Sequence, residues 1–131
     1  MTSPWQHMSP VLEDDRYQQA IHLFNAREWY AAHDAFEELW HEAAIEQRLV
    51  LQAVIQIAVA EHHLHNGNQR GSLLLMAEGL NHLQSSSPQD LNLDLQALSS
   101  IVSRRLAALQ AGQSLADLPL PVLRRLAPDK D

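Results

Sequence analysis

The chain has 131 residues, 46% of them hydrophobic, which suffices for one ordinary domain with its own core and argues against wholesale disorder. It has no cysteine, so disulfides, thiolate chemistry and cysteine-bound zinc are excluded for these residues, and the composition suits the cytoplasm. The formal net charge of −7 leaves no global basic footprint for nucleic acid, and no apolar run reaches the roughly 18 residues needed to cross a bilayer, so neither nucleic acid nor membrane is expected as a partner.

Residues 1–12 carry Ser3-Pro4 and Ser9-Pro10 and read as a loosely ordered segment with no signal peptide, in which Trp5 is free to dock on the body. The first helix, 13–26, shows helical periodicity through Tyr17, Ala20, Ile21 and Phe24, with acidic residues in its first turn. The second, 28–43, carries Trp29, Ala32, Phe36, Leu39, Trp40 and Ala43 as its apolar stripe, and Phe36 and Trp40 are expected to be mostly buried. The third, 46–66, is the most apolar and belongs at the centre. Asn66-Gly67-Asn68 is a stop-and-start signal, because Gly67 can take the left-handed C′ conformation and Asn68 can cap the next helix. The fourth helix spans 69–84 and the fifth 89–111. A proline-broken tail, 113–131, has room for a short helical turn at 122–127. The sequence therefore predicts an all-α fold: a single bundle of about five helices over 13–112.

An offset of 40 residues aligns Arg27, Ala32, Phe36 and Trp40 with Gly67, Ser72, Met76 and Leu80. Each copy is a helix end, a tight turn and a helix with a small residue on its packing face. This is the pattern of tetratricopeptide-like antiparallel hairpins, and the fifth helix must complete their core.

His33, Glu37 and Trp40, spaced i, i+4, i+7, share one helical stripe. Gln52, Gln56 and His63 fall within about 40° of one another on the next helix. A buried glutamine without a partner costs roughly 1–3 kcal/mol, so partners must be near, and the adjacent antiparallel helix supplies His33 and Glu37. These five residues are the expected ligand pocket; the bland alternative is a hydrogen-bonded network that fixes helix register. No cofactor is expected. Were a divalent metal to bind, His33, Glu37 and His63 are the ligands the spacing offers. Glu61 with His62 and His65 reads as a solvated helix end, and Arg104, Arg105, Arg124 and Arg125 as a solvated basic face. The eight histidines would carry the net charge from −7 to +1 on protonation, so solubility should change near pH ~6.5.

The segment from Phe24 to Leu83 resembles an uncharacterised bacterial and archaeal helical family, domain of unknown function 309. The matching residues are Phe24-Asn25, Tyr30, Ala32-His33, Glu37-Glu38-Leu39-Trp40, Leu51-Gln52, Ile55-Gln56, His63 and Gly67-Asn68 with Gly71. The resemblance implies an all-helical bundle with a tetratricopeptide-like hairpin and no established activity. Arg27, Asp34, Ala53 and Ser72 depart from its usual glycine, glutamate, glycine and alanine. Arg27 at a C′ position would carry left-handed strain, which predicts a first turn of different shape.

The expected function is a non-catalytic helical binding or scaffold module, taking a peptide, a protein surface or a small polar ligand. The rival is a metal-dependent hydrolase using the same pocket, with Glu37 as general base and His33 as ligand or acid. Leu91, Leu95, Leu98, Val102, Leu106 and Leu109 on the fifth helix, followed by Leu115, Leu118, Leu120, Val122, Leu123 and Leu126, exceed what one core face needs. That surplus predicts a homodimer through the fifth helix or the tail.

Overall fold

The computed structural model describes residues 10–126. Six α-helices follow one another: α1 (Pro10–Glu13), α2 (Asp15–Asn25), α3 (Trp29–Glu42), α4 (Ile45–His65), α5 (Gln69–Gln84) and α6 (Leu95–Gln110), with a 3₁₀ turn at Pro88–Asp90. No strand occurs among the described residues; the one strand-like feature is an isolated antiparallel bridge between Leu93 and Arg125. Tight turns join α2 to α3 and α4 to α5, so each pair runs antiparallel. Helix α4 packs against α3 on one side and α5 on the other, and α6 packs against α5.

The sequence explains each helix locally. Asp14 takes an extended conformation and its carboxylate accepts from Arg16 N at 2.9 Å, capping α2. Arg16 then reaches across to α3, with Nη1 donating to Glu42 Oε2 and Nη2 to Glu42 Oε1, each at 2.9 Å. Hydrogen bonding to this guanidinium holds the Asp14 and Glu42 carboxyls below their ordinary range. Asn68 Oδ1 caps α5 through Gly71 N, and Asp94 Oδ1 caps α6 through Ala97 N.

The core follows the 3.6-residue repeat. Tyr17, Ala20, Ile21 and Phe24 of α2 meet Trp29, Ala32, Phe36 and Leu39 of α3, all buried. Their rings interlock edge to face: Phe36 lies 6.4 Å from Tyr17 and 6.5 Å from Phe24, and Phe24 lies 5.1 Å from Trp29. Tyr17 Oη donates to Leu91 O at 2.7 Å, and burial pushes its phenol well above the usual range. Helix α5 comes close to α4 at Gly79, where an added Cβ would sit 3.0 Å from Ile57 Cγ1 and 3.3 Å from Ala53 O. The hydroxyl of Ser72, at a position where the resemblance expects alanine, is buried without a hydrogen-bond partner.

Several expectations are corrected. The expected fifth helix starts at Leu95, not at residue 89, because Asp94 supplies the cap and Asn92 turns left-handed at φ 54°. The short helical turn expected at 122–127 is absent over its described residues; Pro119 and Pro121 keep the chain extended, and Asn25 takes both main-chain groups of Leu123. Part of the segment read as loose forms α1, where Val11 is buried. Trp5 lies outside the described residues. The first turn does not change shape: Arg27 adopts φ 66° and reproduces the geometry Gly67 has at φ 79°. Trp40, by contrast, packs against the core as expected, with the Arg48 guanidinium 4.9 Å above its ring.

Candidate functional site

The five residues expected to share one pocket divide among three places. Glu37 and Gln52 meet at a shallow hollow of about 240 Å³ on the outer face, completed by Trp40, His41 and Ile55. His33 stays with its own helix: Nε2 lies 3.0 Å from Glu37 Oε2, and Nδ1 lies 3.1 Å from Asp34 Oδ1 without hydrogen-bond geometry. Gln56 turns to α5, where Nε2 donates to Glu78 Oε2 at 2.9 Å and Oε1 lies 2.7 Å from His82 Nδ1. His63 Nδ1 sits 3.4 Å from Asn68 Nδ2 in the next turn. Among the described residues no side-chain hydrogen bond joins His33 or Glu37 to Gln52 or Gln56. The reason is topological. The polar strip of α4 faces outward between two neighbours, so Gln52 serves α3 while Gln56 serves α5. His33 and Glu37 are adjacent but His63 is elsewhere, and among the described residues no group of three or more His, Asp or Glu is arranged to hold a metal.

A wider concavity lies at one end of the bundle. Helices α2, α4 and α6 all finish there, and each ends on a left-handed residue: Arg27 at φ 66°, Gly67 at φ 79° and Gly112 at φ 68°. Each turn is closed from the following residue, as Glu28 N donates to Leu23 O, Asn68 N to His63 O and Gln113 N to Ala108 O. Between the first turn of α3, the last turns of α4 and residues 113–120 of the tail lies a cleft of about 1000 Å³. Tyr30 is exposed on its rim, with its ring 5.3 Å from that of His62.

The lining of this cleft includes a buried ion pair that sequence reasoning missed. Arg105 Nε donates to Glu61 Oε2 at 2.7 Å and Nη2 to Glu61 Oε1 at 2.6 Å, with both side chains 3% exposed. The remaining guanidinium nitrogen, Nη1, donates to Pro119 O at 3.2 Å. A two-pronged pair of this kind offsets the desolvation of both charges only while both partners are present. The signal was available: at 100° per residue Glu61 falls among Val50, Val54 and Ala58, and Arg105 beside Leu98, each a charge inside an apolar stripe. The solvated basic face expected of the four arginines is thereby corrected. Arg105 is buried, Arg125 lies 5.1 Å over the Tyr17 ring, and Arg104 and Arg124 are exposed.

Beyond the cleft the tail continues as an extended strap. Asn25 Nδ2 donates to Leu123 O at 2.9 Å and Asn25 Oδ1 accepts from Leu123 N at 2.8 Å. Asp94 N donates to Arg124 O and Leu126 N to Asn92 O, at 2.9 and 3.0 Å. Leu123 is 3% exposed. The apolar residues expected to be surplus are partly spent within the chain: Leu91, Leu95, Leu98, Val102, Leu106 and Leu123 are buried.

Two stacked helical hairpins closed by a further helix and a strap define an all-α bundle with a cleft at one end. Residues 17–75, from α2 into α5, match the family model described as Domain of unknown function (DUF309). No curated protein matches the chain.

Proposed function

We propose that this chain is a non-catalytic, tetratricopeptide-like binding module of the cytoplasm that receives a segment of a partner protein at the end cleft. The observation that supports this is the cleft itself: about 1000 Å³, rimmed by an exposed tyrosine, with one wall made of chain that is not helical. The test is panning of a displayed library of linear peptides against the full chain and against Ala31→Trp, which narrows the cleft. Enriched peptides should bind the variant at least about tenfold more weakly. No enrichment, or enrichment indifferent to the substitution, would sink the reading.

A second contact surface is supported on the outer face. Trp40 Nε1 is buried there without a hydrogen-bond partner, and such a donor in a folded protein calls for an acceptor. A partner carbonyl or carboxylate over the Glu37–Gln52 hollow would shift the Trp40 indole proton resonance. An indole signal unmoved by every enriched peptide would remove this surface from consideration.

A further inference from the structure

The contacts of the strap have a common character. Asn25 engages both main-chain groups of Leu123, Asp94 N takes Arg124 O, Leu126 N finds Asn92 O, and Arg105 Nη1 holds Pro119 O. All five hydrogen bonds go to main-chain atoms of the strap. Two side-chain features stand out beside them: Leu123, buried at 3% exposure, and Arg125, stacked over Tyr17 at 5.1 Å. Pro121 keeps the chain extended two residues before the leucine. Recognition of extended backbone plus one apolar and one cationic side chain is how grooves read peptides. The strap is also loosely tethered. Between Gly112 and Pro119 its internal bonds are local, Ala116 N to Ser114 Oγ and Leu118 N to Leu115 O, and most of its residues are exposed.

We infer that the channel between α2 and α6 is a peptide-binding groove for extended segments of the form Pro-x-Leu-x-Arg, which the chain's own tail occupies in cis and a partner protein's segment occupies in trans. This rests on the proposed role as a receiver of partner segments and names the chemistry of the segment. The end cleft is where the groove opens, since the strap leaves it at Leu120. The tethered tail competes at an effective concentration in the millimolar range, so the intact chain holds its groove closed against weak ligands.

The probe is a fluorescent synthetic peptide spanning residues 117–126, titrated into the full-length wild-type chain and into full-length Leu123→Asp, whose own tail cannot seat. The peptide should bind the variant at least about tenfold more tightly than the wild type. Binding should be lost with aspartate at the leucine position of the peptide, and weakened in Asn25→Ala/Leu123→Asp. Equal affinity for both chains, or indifference to the peptide's leucine, would overturn the groove. Hydrogen exchange in the wild type gives a reading that needs no variant to fold: the Leu123 amide should exchange through an opening that leaves α4 protected, and exchange at the α4 rate would make the strap a fixed part of the core. A wild-type mass that doubles with concentration while the Leu123 amide stays protected would assign the groove to a second copy and overturn the partner. Library peptides that bind but leave Leu123 protection unchanged would overturn this inference and leave the binding module standing, whereas the absence of any binding peptide would remove both.

Discussion

Arg27 holds a backbone conformation that an L-residue adopts at a cost of about 1–2 kcal/mol, while the equivalent turn after α4 uses glycine. Replacing Arg27→Gly should therefore raise stability by about 0.5–1 kcal/mol, the left-handed relief less the added freedom of the unfolded chain. An unchanged midpoint in urea would show that the arginine side chain repays its strain through contacts. The buried pair is the other residue-scale test. Glu61→Leu or Arg105→Met alone strands a charge and should cost about 3–5 kcal/mol, whereas the double replacement should recover most of that loss. Additive losses in the double-mutant cycle would mean the two side chains are not coupled as the 2.6 and 2.7 Å contacts imply.

Among the elements, the α2–α3 clamp carries carboxyls held low by a guanidinium. Asp14 and Glu42 have folded pKa values held below their ordinary 3.8 and 4.5 by hydrogen bonds from Arg16. A depressed carboxyl contributes stability that is fully present above its ordinary pKa and is lost as pH falls through the folded value. The start of α2 should thus loosen below about pH 4. Arg16→Ala should flatten that acid limb in amide exchange, and high salt should blunt it because the groups are exposed. An identical acid limb in the variant would move the effect elsewhere. Elements were mostly legible in the sequence. Apolar spacing located α2 to α5 within a residue or two, and Asn66-Gly67-Asn68 marked a real boundary. The start of α6 is masked in the sequence because Leu91 and Leu95 continue the helical spacing, although Leu91 is buried from a turn under Tyr17.

At the scale of the molecule, the core is organised about Phe36, which is fully buried and meets rings from both ends of α2. Phe36→Ala should cost about 3–5 kcal/mol in a denaturant melt; a loss under about 1 kcal/mol would mean the cavity collapses freely. The candidate site was much less legible than the core. Periodicity reports which face of a helix is apolar, but not which of two neighbours a polar strip will serve, so Gln52 and Gln56 share a stripe in the sequence and serve two places in the fold. Nor does it report contacts between distant segments. Asn25 and Leu123, or Glu61 and Arg105, carry no mutual signal in a single chain, and the cleft exists only once the tail has returned.

That return has a consequence for how the chain comes to be folded. The Asn25–Leu123 clasp joins residues 98 apart, across nearly the whole described chain, while the hairpins close through neighbours only a few residues distant. Long loops close late, after local contacts have formed. During synthesis, Asn25 must wait for its partner until Leu123, 98 residues further on, has been made. The clasp should accordingly be absent from the rate-limiting step, so Asn25→Ala should speed unfolding and leave the folding rate unchanged. A slower folding arm in the chevron of that variant would place the clasp in the nucleus instead.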